Sequence, residues 1–348
     1  MTQLQLEIFK NFPGLQAQWI NDQELWSSSN FGIYYSDTIT STPKKIFDLE
    51  MPFYMRALSN SRLAARAFRL GVRSFLRLTN GTILIIANKC IFRFEGNHLN
   101  KVHTLERGIG PLRNGMCEDQ RGNVYLGEYF LNNNRSHEVK LLKSCDKGKT
   151  WTIIQSMKNI RHIHAVQYDP FEKKLWMATG DRDEESFILY SDDDGESWEK
   201  MASGSQIYRT VSLLFTDSHI YWGTDAPTIQ NCIFRYSRNS GEIEKVAEVN
   251  GPVYYSAKTD DGLLLFSTGN EGKSEGSTME WDNTARIWAS RDGTHWQDLA
   301  KYEKDRWPHI LGFGRVLFAR GSSNYVAFTT QCVKGLDETT FTGAVIDG

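Results

Sequence analysis

Cysteine is scarce and unpatterned in this 348-residue chain: Cys90, Cys117, Cys145, Cys232 and Cys332 are odd in number and lack a CxxC spacing. That argues against a disulfide framework, and reduced thiols in a cytosolic protein are the simplest account. No run approaches about eighteen consecutive apolar residues, so no membrane-spanning helix is expected. Met1-Thr2-Gln3-Leu4-Gln5-Leu6-Glu7 has no basic segment followed by an apolar one. It does not read as a secretory leader, so the expected location is cytoplasmic, with a mature secreted form as the alternative. Excess charge is missing as well. The formal balance is −2, which leaves no global field to recruit nucleic acid or a membrane surface. No sequence feature bears on oligomeric state. Aromatics, by contrast, are plentiful, with ten Trp and fourteen Tyr, as suits a β-rich protein with sugar-sized surfaces.

The chain repeats itself. Ser144-Cys145-Asp146-Lys147-Gly148-Lys149-Thr150-Trp151 returns 47 residues on as Ser191-Asp192-Asp193-Asp194-Gly195-Glu196-Ser197-Trp198. Ser290-Arg291-Asp292-Gly293-Thr294-His295-Trp296 is a copy one residue shorter, and Ser237-Arg238-Asn239-Ser240-Gly241 a decayed one. The Asp can cap the turn's own backbone, the Gly takes the positive-φ position, and the Trp packs beneath. Upstream of the turns comes a two-strand phrase, such as Gly71–Leu78 through Asn80-Gly81 to Thr82–Ile86, or Arg161–Pro170 running on to Trp176–Asp181.

Evenly spaced strands with Gly turns and no helical interludes predict an all-β chain. A period of about 40–50 residues with four strands per unit predicts a β-propeller. The expected architecture is one domain of seven four-stranded blades, with six or eight as neighbouring counts. The blades fall near 15–50, 70–105, 108–157, 160–202, 204–249, 250–302 and 306–348, and a strand around Leu4–Phe9 closes against the last. The one non-β passage is a short helix near residues 55–69, capped by Ser59 or Ser61.

The Ser-x-Asp-x-Gly-x-Thr-Trp turns resemble the Asp-boxes of sialidases and of the wider group of BNR-repeat propellers. The resemblance covers three blades directly. It implies the propeller fold and a structural role for Asp146, Trp151, Asp193, Trp198, Asp292 and Trp296. Such boxes also occur in lyases, other glycosidases, sorting receptors and non-catalytic proteins. Sialidase activity rests on three Arg, an Asp acid/base and a Tyr–Glu nucleophile pair. The chain departs from that family in lacking its Arg-Ile-Pro motif, Val72-Arg73-Ser74-Phe75 standing nearest.

Propeller topology predicts where chemistry collects. In each blade the first strand starts, and the second ends, on one rim of the channel, whereas the repeated turn lies at the opposite rim. The residues so placed are Arg73; Arg113 with Glu128 and Tyr129; His162 and His164 with Asp181; Arg209 with Asp225; Tyr254 and Tyr255 with Glu271; and His309. His162 and His164 alternate, so both point to one face of a strand. That suits two imidazoles on a divalent metal, a base with a positioning partner, or two buried hydrogen-bonded groups. No cofactor is otherwise expected. Glu128, Asp181 and Asp225 each close a second strand as candidate acid and base, or as loop caps and partners of arginine. Arg73, Arg113 and Arg209 suit a carboxylate or sulfate, or else neutralise those acids. Tyr255 is a candidate phenolic acid or nucleophile, and Tyr254 a stacking platform. Phe53–Arg73 holds five Arg and no acid, a cationic lid over an acidic glycan, or else a solvated helix face or an oligomer contact. The loop Glu271–Arg286 is the expected gate.

The favoured reading is a carbohydrate-active enzyme that hydrolyses an acidic glycan carrying a uronate- or sialate-like sugar. Its arginines would hold the anion, and Glu128, Asp181 or Asp225 would do the acid–base work. The second is a polysaccharide lyase working by His/Tyr or metal-assisted β-elimination. The third is a non-catalytic propeller that binds glycan or protein.

Overall fold

The computed structural model describes residues 3–272 and 282–348. The protein is a β-propeller of seven four-stranded antiparallel blades, nearly all β, with two short helices. It divides into two compact units. One comprises Met1–Val72, Pro227–Ile233 and Lys245–Gly348, the other Arg73–Ala226 and Phe234–Glu244.

In the first unit, Leu4–Pro13 pairs antiparallel with Thr339–Asp347, so the N-terminal strand completes the C-terminal sheet. A second sheet runs Gln16–Ile20, Leu25–Ser29, Gly32–Ser36 and Lys44–Asp48, and Arg320–Gly321 adds a short parallel edge to it. A third runs Val253–Lys258, Leu264–Thr268, Thr284–Ser290 and Gln297–Glu303. Phe12, Ala17, Ile20, Leu25 and Ala327 form one core between sheets.

The expected single helix is two: α1 (Phe53–Ser59) and α2 (Arg62–Ala67). Ser61 is the cap, its side chain accepting from Ala64 N. Ser59 instead donates its hydroxyl to Arg56 O (2.8 Å) inside α1. Pairing of a short polar side chain with nearby backbone competes with helix continuation, and Ser59-Asn60-Ser61 is where the chain breaks.

In the second unit, three complete sheets follow in sequence, and the two internal strands of each read as nearly continuous apolar runs. Ile83–Ala87 is buried throughout. Leu84 and Ile86 pack on Met116 and Leu126 of the next sheet. Tyr125 and Leu141 pack on Ile163, Val166 and Met177 of the one after. Each such side chain contributes roughly 1.5–3 kcal/mol by leaving water. Sheet-on-sheet burial on both faces is why these strands show continuous hydrophobicity rather than strict alternation.

The repeated turns join the third and fourth strands of their sheets, as between Val139–Ser144 and Thr152–Met157. Asp146 Oδ1 accepts from Ser144 Oγ (2.8 Å), Lys149 N (3.0 Å) and Thr150 N (2.9 Å), and Gly148 N donates to Ser144 Oγ (2.8 Å). Asp193 and Asp292 do the same for their turns. Trp198 Nε1 donates to Gly195 O (3.1 Å). These side chains organise their turns.

Candidate functional site

His162 opens the strand His162–Asp169, and Gly180 closes its neighbour Lys174–Gly180, so Asp181 emerges beside the imidazoles. The pairing slips between Ile163 and Ala165, leaving His164 in a bulge. A bulge turns its extra side chain out of the ordinary alternation, and here His164 meets His162, Nε2 to Nε2, at 2.9 Å. Gly180 leaves the room. A Cβ there would stand 2.7 Å from His164 Cε1 and 3.3 Å from Nδ1. The same slip recurs in the first strands of two other sheets, at Gln18 and at Tyr254.

Both imidazoles are buried (3 and 2 % exposed). His162 Nδ1 donates to Phe130 O (3.3 Å) and His164 Nδ1 to Thr210 O (3.1 Å). A carbonyl only accepts, so both Nδ1 atoms carry the proton, and in the neutral rings both Nε2 atoms hold lone pairs. Those lone pairs face each other and also Asp181 Oδ1, at 3.4 Å from His162 and 3.2 Å from His164. Three electron-pair donors thus converge without a proton between them.

Something positive belongs there. Burial holds His164 neutral, its pKa pulled down to about 4 despite the nearby Asp181, which disfavours a proton as the occupant at neutral pH. Burial also opposes ionisation of Asp181, but with both rings neutral it is the flanking guanidiniums of Arg209 and Arg161 that keep the carboxyl ionised, its pKa lowered. The donor set fits a metal. His162, His164 and Asp181 each offer one ligand atom, all within 4.8 Å of one another. Nδ1–H bonds to backbone carbonyls are the outer-shell contacts that fix metal-binding imidazoles. Two imidazoles and a carboxylate suit borderline divalent ions such as Mn, Fe or Zn.

Arginines flank the triad. Arg161 Nη1 bonds Asp181 Oδ2, and Arg209 Nη2 lies 3.3 Å from Asp181 Oδ1 and 3.4 Å from Asp225 Oδ2. Arg161 Nε is buried with no hydrogen-bond partner among the described residues. The Tyr129 ring stacks on His162 at 4.0 Å, and the Arg73 guanidinium lies 5.8 Å from the Tyr129 centroid. The structure therefore gathers His162, His164, Asp181, Arg209, Asp225, Tyr129 and Arg73.

Glu128 is buried and its pKa raised by burial, but its Oε2 accepts from Lys140 N (3.0 Å), the work of a strand cap. Arg113 is buried. Tyr254, Tyr255, Glu271 and His309 belong to the first unit. There the Tyr254 hydroxyl bonds Glu271 Oε1, and its ring stacks on Phe313 at 5.6 Å. Tyr255 is buried, and the His309 ring lies against Gly272. Of the expected gate, residues 273–281 lie outside the described residues.

Sequence reasoning missed Arg161, which precedes the first strand by one position, and the carbonyls of Phe130 and Thr210. It also missed Glu185, buried at 1 % exposure, which pairs with Arg135 and accepts from Arg182 N (3.0 Å). That pins the corner carrying Asp181. The run Arg161-His162-x-His164 was the available signal for Arg161; nothing local marks the carbonyls.

No protein-family model and no curated protein matches this chain. Among solved structures it is similar to an oligogalacturonate lyase in complex with manganese, at TM-score 0.63 and 9% identity over 99% of this chain and 98% of that one. An oligogalacturonate lyase from Vibrio parahaemolyticus gives 0.60 and 12%, over 98% of each chain. A GH74 enzyme from Niastella koreensis gives 0.58 and 12%, over 98% of this chain and 55% of that one. At such identities the likeness is one of fold.

Proposed function

We propose that this protein cleaves an acidic, uronate-containing glycan by metal-assisted β-elimination at His162, His164 and Asp181. The observation that carries the reading is the convergence of both Nε2 lone pairs on Asp181 Oδ1, with each Nδ1 proton given to a carbonyl. The fold-level likeness to oligogalacturonate lyases and to a GH74 enzyme supports a glycan as substrate.

His162, His164 and Asp181 would hold the ion, which when bound neutralises a substrate carboxylate and acidifies the carbon beside it. Arg161 and Arg209 orient that carboxylate in bidentate fashion at the edge of the triad. Elimination removes the proton next to the carboxylate, forms a carbon–carbon double bond and expels the glycosidic oxygen, which takes up a proton. The imidazoles are too buried to reach a sugar ring. Proton transfer therefore falls to Tyr129, partly buried and stacked beside them, which as phenolate takes that proton and as the resulting phenol returns it to the departing oxygen.

Hydrolysis is less well supported, because it needs one carboxyl kept protonated. Asp181 is held ionised, and Asp225 lies against Arg209. Glu128 is the carboxyl whose pKa burial raises, but its Oε2 already accepts from the Lys140 strand amide.

Oligogalacturonate incubated with the manganese-loaded protein should gain the ultraviolet absorbance of an unsaturated uronate. Chelation should abolish the gain and added Mn²⁺ restore it. Reducing ends without that absorbance would mean hydrolysis. Intact oligomer under both conditions would refute the reading.

A further inference from the structure

The two-helix insertion presents an unusual surface. Phe53 (85 %), Tyr54 (60 %), Phe68 (63 %), Trp307 (46 %) and Ile310 (90 %) stand in solvent. The last two flank or lie in the turn His309–Leu311, against which α2 packs. Isolated exposed hydrophobes need no explanation, but several large ones on one packed insertion do. Arg56, Arg69 and Arg306 are also exposed, with no ion pair among the described residues.

The neighbouring acids face inward. Arg66 Nη2 contacts Asp305 Oδ2 and Asp337 Oδ2, each at 2.7 Å; Arg62 holds Asp337 and Glu338, each at 2.7 Å; and Lys304 also binds Asp305. These pairs tie α2 to the segments holding Lys304-Asp305 and Asp337-Glu338 and turn those acids away from the exposed apolar and cationic side chains. No acid occurs between Met51 and Arg73.

From this we infer that the insertion seats the protein on an anionic membrane surface, its arginines on phospholipid headgroups and its aromatic and aliphatic side chains among the acyl chains. Basic residues beside Trp, Phe and Ile are the composition of an interfacial anchor, and each arginine gains from the negative surface potential of anionic lipid. A second copy of the chain fits worse, since two-fold pairing sets this face against itself, arginine toward arginine. A sugar-binding face needs fixed amide or carboxylate groups for hydroxyls, whereas the projecting side chains here are largely hydrocarbon. No helix among the described residues is long and apolar enough to cross a membrane, so the contact is peripheral.

The test is sedimentation of the full chain with vesicles of phosphatidylcholine alone, or of equal parts phosphatidylcholine and phosphatidylglycerol. Binding is expected to the mixed vesicles only, falling as salt rises. Arg56→Glu/Arg69→Glu/Arg306→Glu and Phe53→Ser/Ile310→Ser should each lower the bound fraction about tenfold or more, whereas the three Arg→Lys changes should retain it. Thermal melting checks that the variants fold; if one does not, the salt and lipid dependence of the unaltered protein decides. Indifference to lipid charge, full binding by folded variants, or a solution dimer abolished by these substitutions would overturn the inference. Metal binding and turnover are read separately, because the substituted residues lie in the other unit.

Discussion

Two histidines at alternate positions share a face of a strand, yet sharing a face does not bring their Nε2 atoms to 2.9 Å. The bulge at His164 and the missing side chain at Gly180 do that. Gly180 is therefore predicted to matter through His164. In Gly180→Ala the new methyl displaces the ring, and Mn²⁺ affinity by calorimetry should fall roughly 10–100-fold, the range seen when a ligand's positioning is disturbed. Stability in a thermal melt should fall as well, by about 1–3 kcal/mol, since the methyl overpacks a buried ring although the backbone φ of Gly180 is not in the positive region. Unchanged affinity would remove Gly180 from the account and weaken the metal reading with it. The histidines and Asp181 were legible in the sequence because each sits in or just after a strand end; Arg209, expected to open a strand, instead closes the turn Gln206–Tyr208, four residues before the strand Leu213–Phe215. The bulge was not legible, because register slips depend on how a neighbouring strand pairs.

At the scale of the element, the Ser-x-Asp-x-Gly turns are local devices. Asp193 Oδ1 accepts from Ser191 Oγ (2.8 Å) and Ser197 N (2.9 Å), and hydrogen bonds from Ser197 and Ser191 lower its pKa to about 2. Asp193→Ala should cost about 0.5–1.5 kcal/mol, since the freed Ser197 donors are exposed and can turn to water, with glycan turnover unaffected. The pH dependence follows in sign. A depressed carboxyl pKa contributes stability above its ordinary value near 3.8, which is lost as pH falls toward 2. Urea melts of both proteins across that window should converge at its acid end. The helical passage shows the limit of local reading. Its capping serine was foreseeable, but Leu63 and Phe68 are 48 and 63 % exposed, so these two apolar side chains do little to dock α2. What holds α2 is ionic, through Arg62 and Arg66, and their partners come from residues nearly 240 or more positions away.

For the whole molecule, the pairing of Leu4–Pro13 with Thr339–Asp347 joins the two chain ends. Removing residues 1–13 would expose Leu4 and Phe12 contacts and leave Thr339–Asp347 a bare edge, a template for aggregation. The deletion should cost at least about 3 kcal/mol from the two lost side chains alone. It should show as a lower melting temperature and increased light scattering; an unchanged melt would mean that the terminal strand adds nothing to stability.

Sequence alone determined the seven-blade β-propeller, because strand phrases and turns recur with a period that only stacked sheets can bury. It also marked the His-rich strand end, since alternation and turn placement are short-range properties. Tertiary structure decided which ionisable groups meet. Glu128 turned to a strand amide while Arg161, unremarked in the sequence, reached Asp181. It likewise decided the tautomers of His162 and His164, fixed by carbonyls 32 and 46 residues away. Lone-pair direction depends on which distant backbone group a ring happens to face, and no local pattern encodes that.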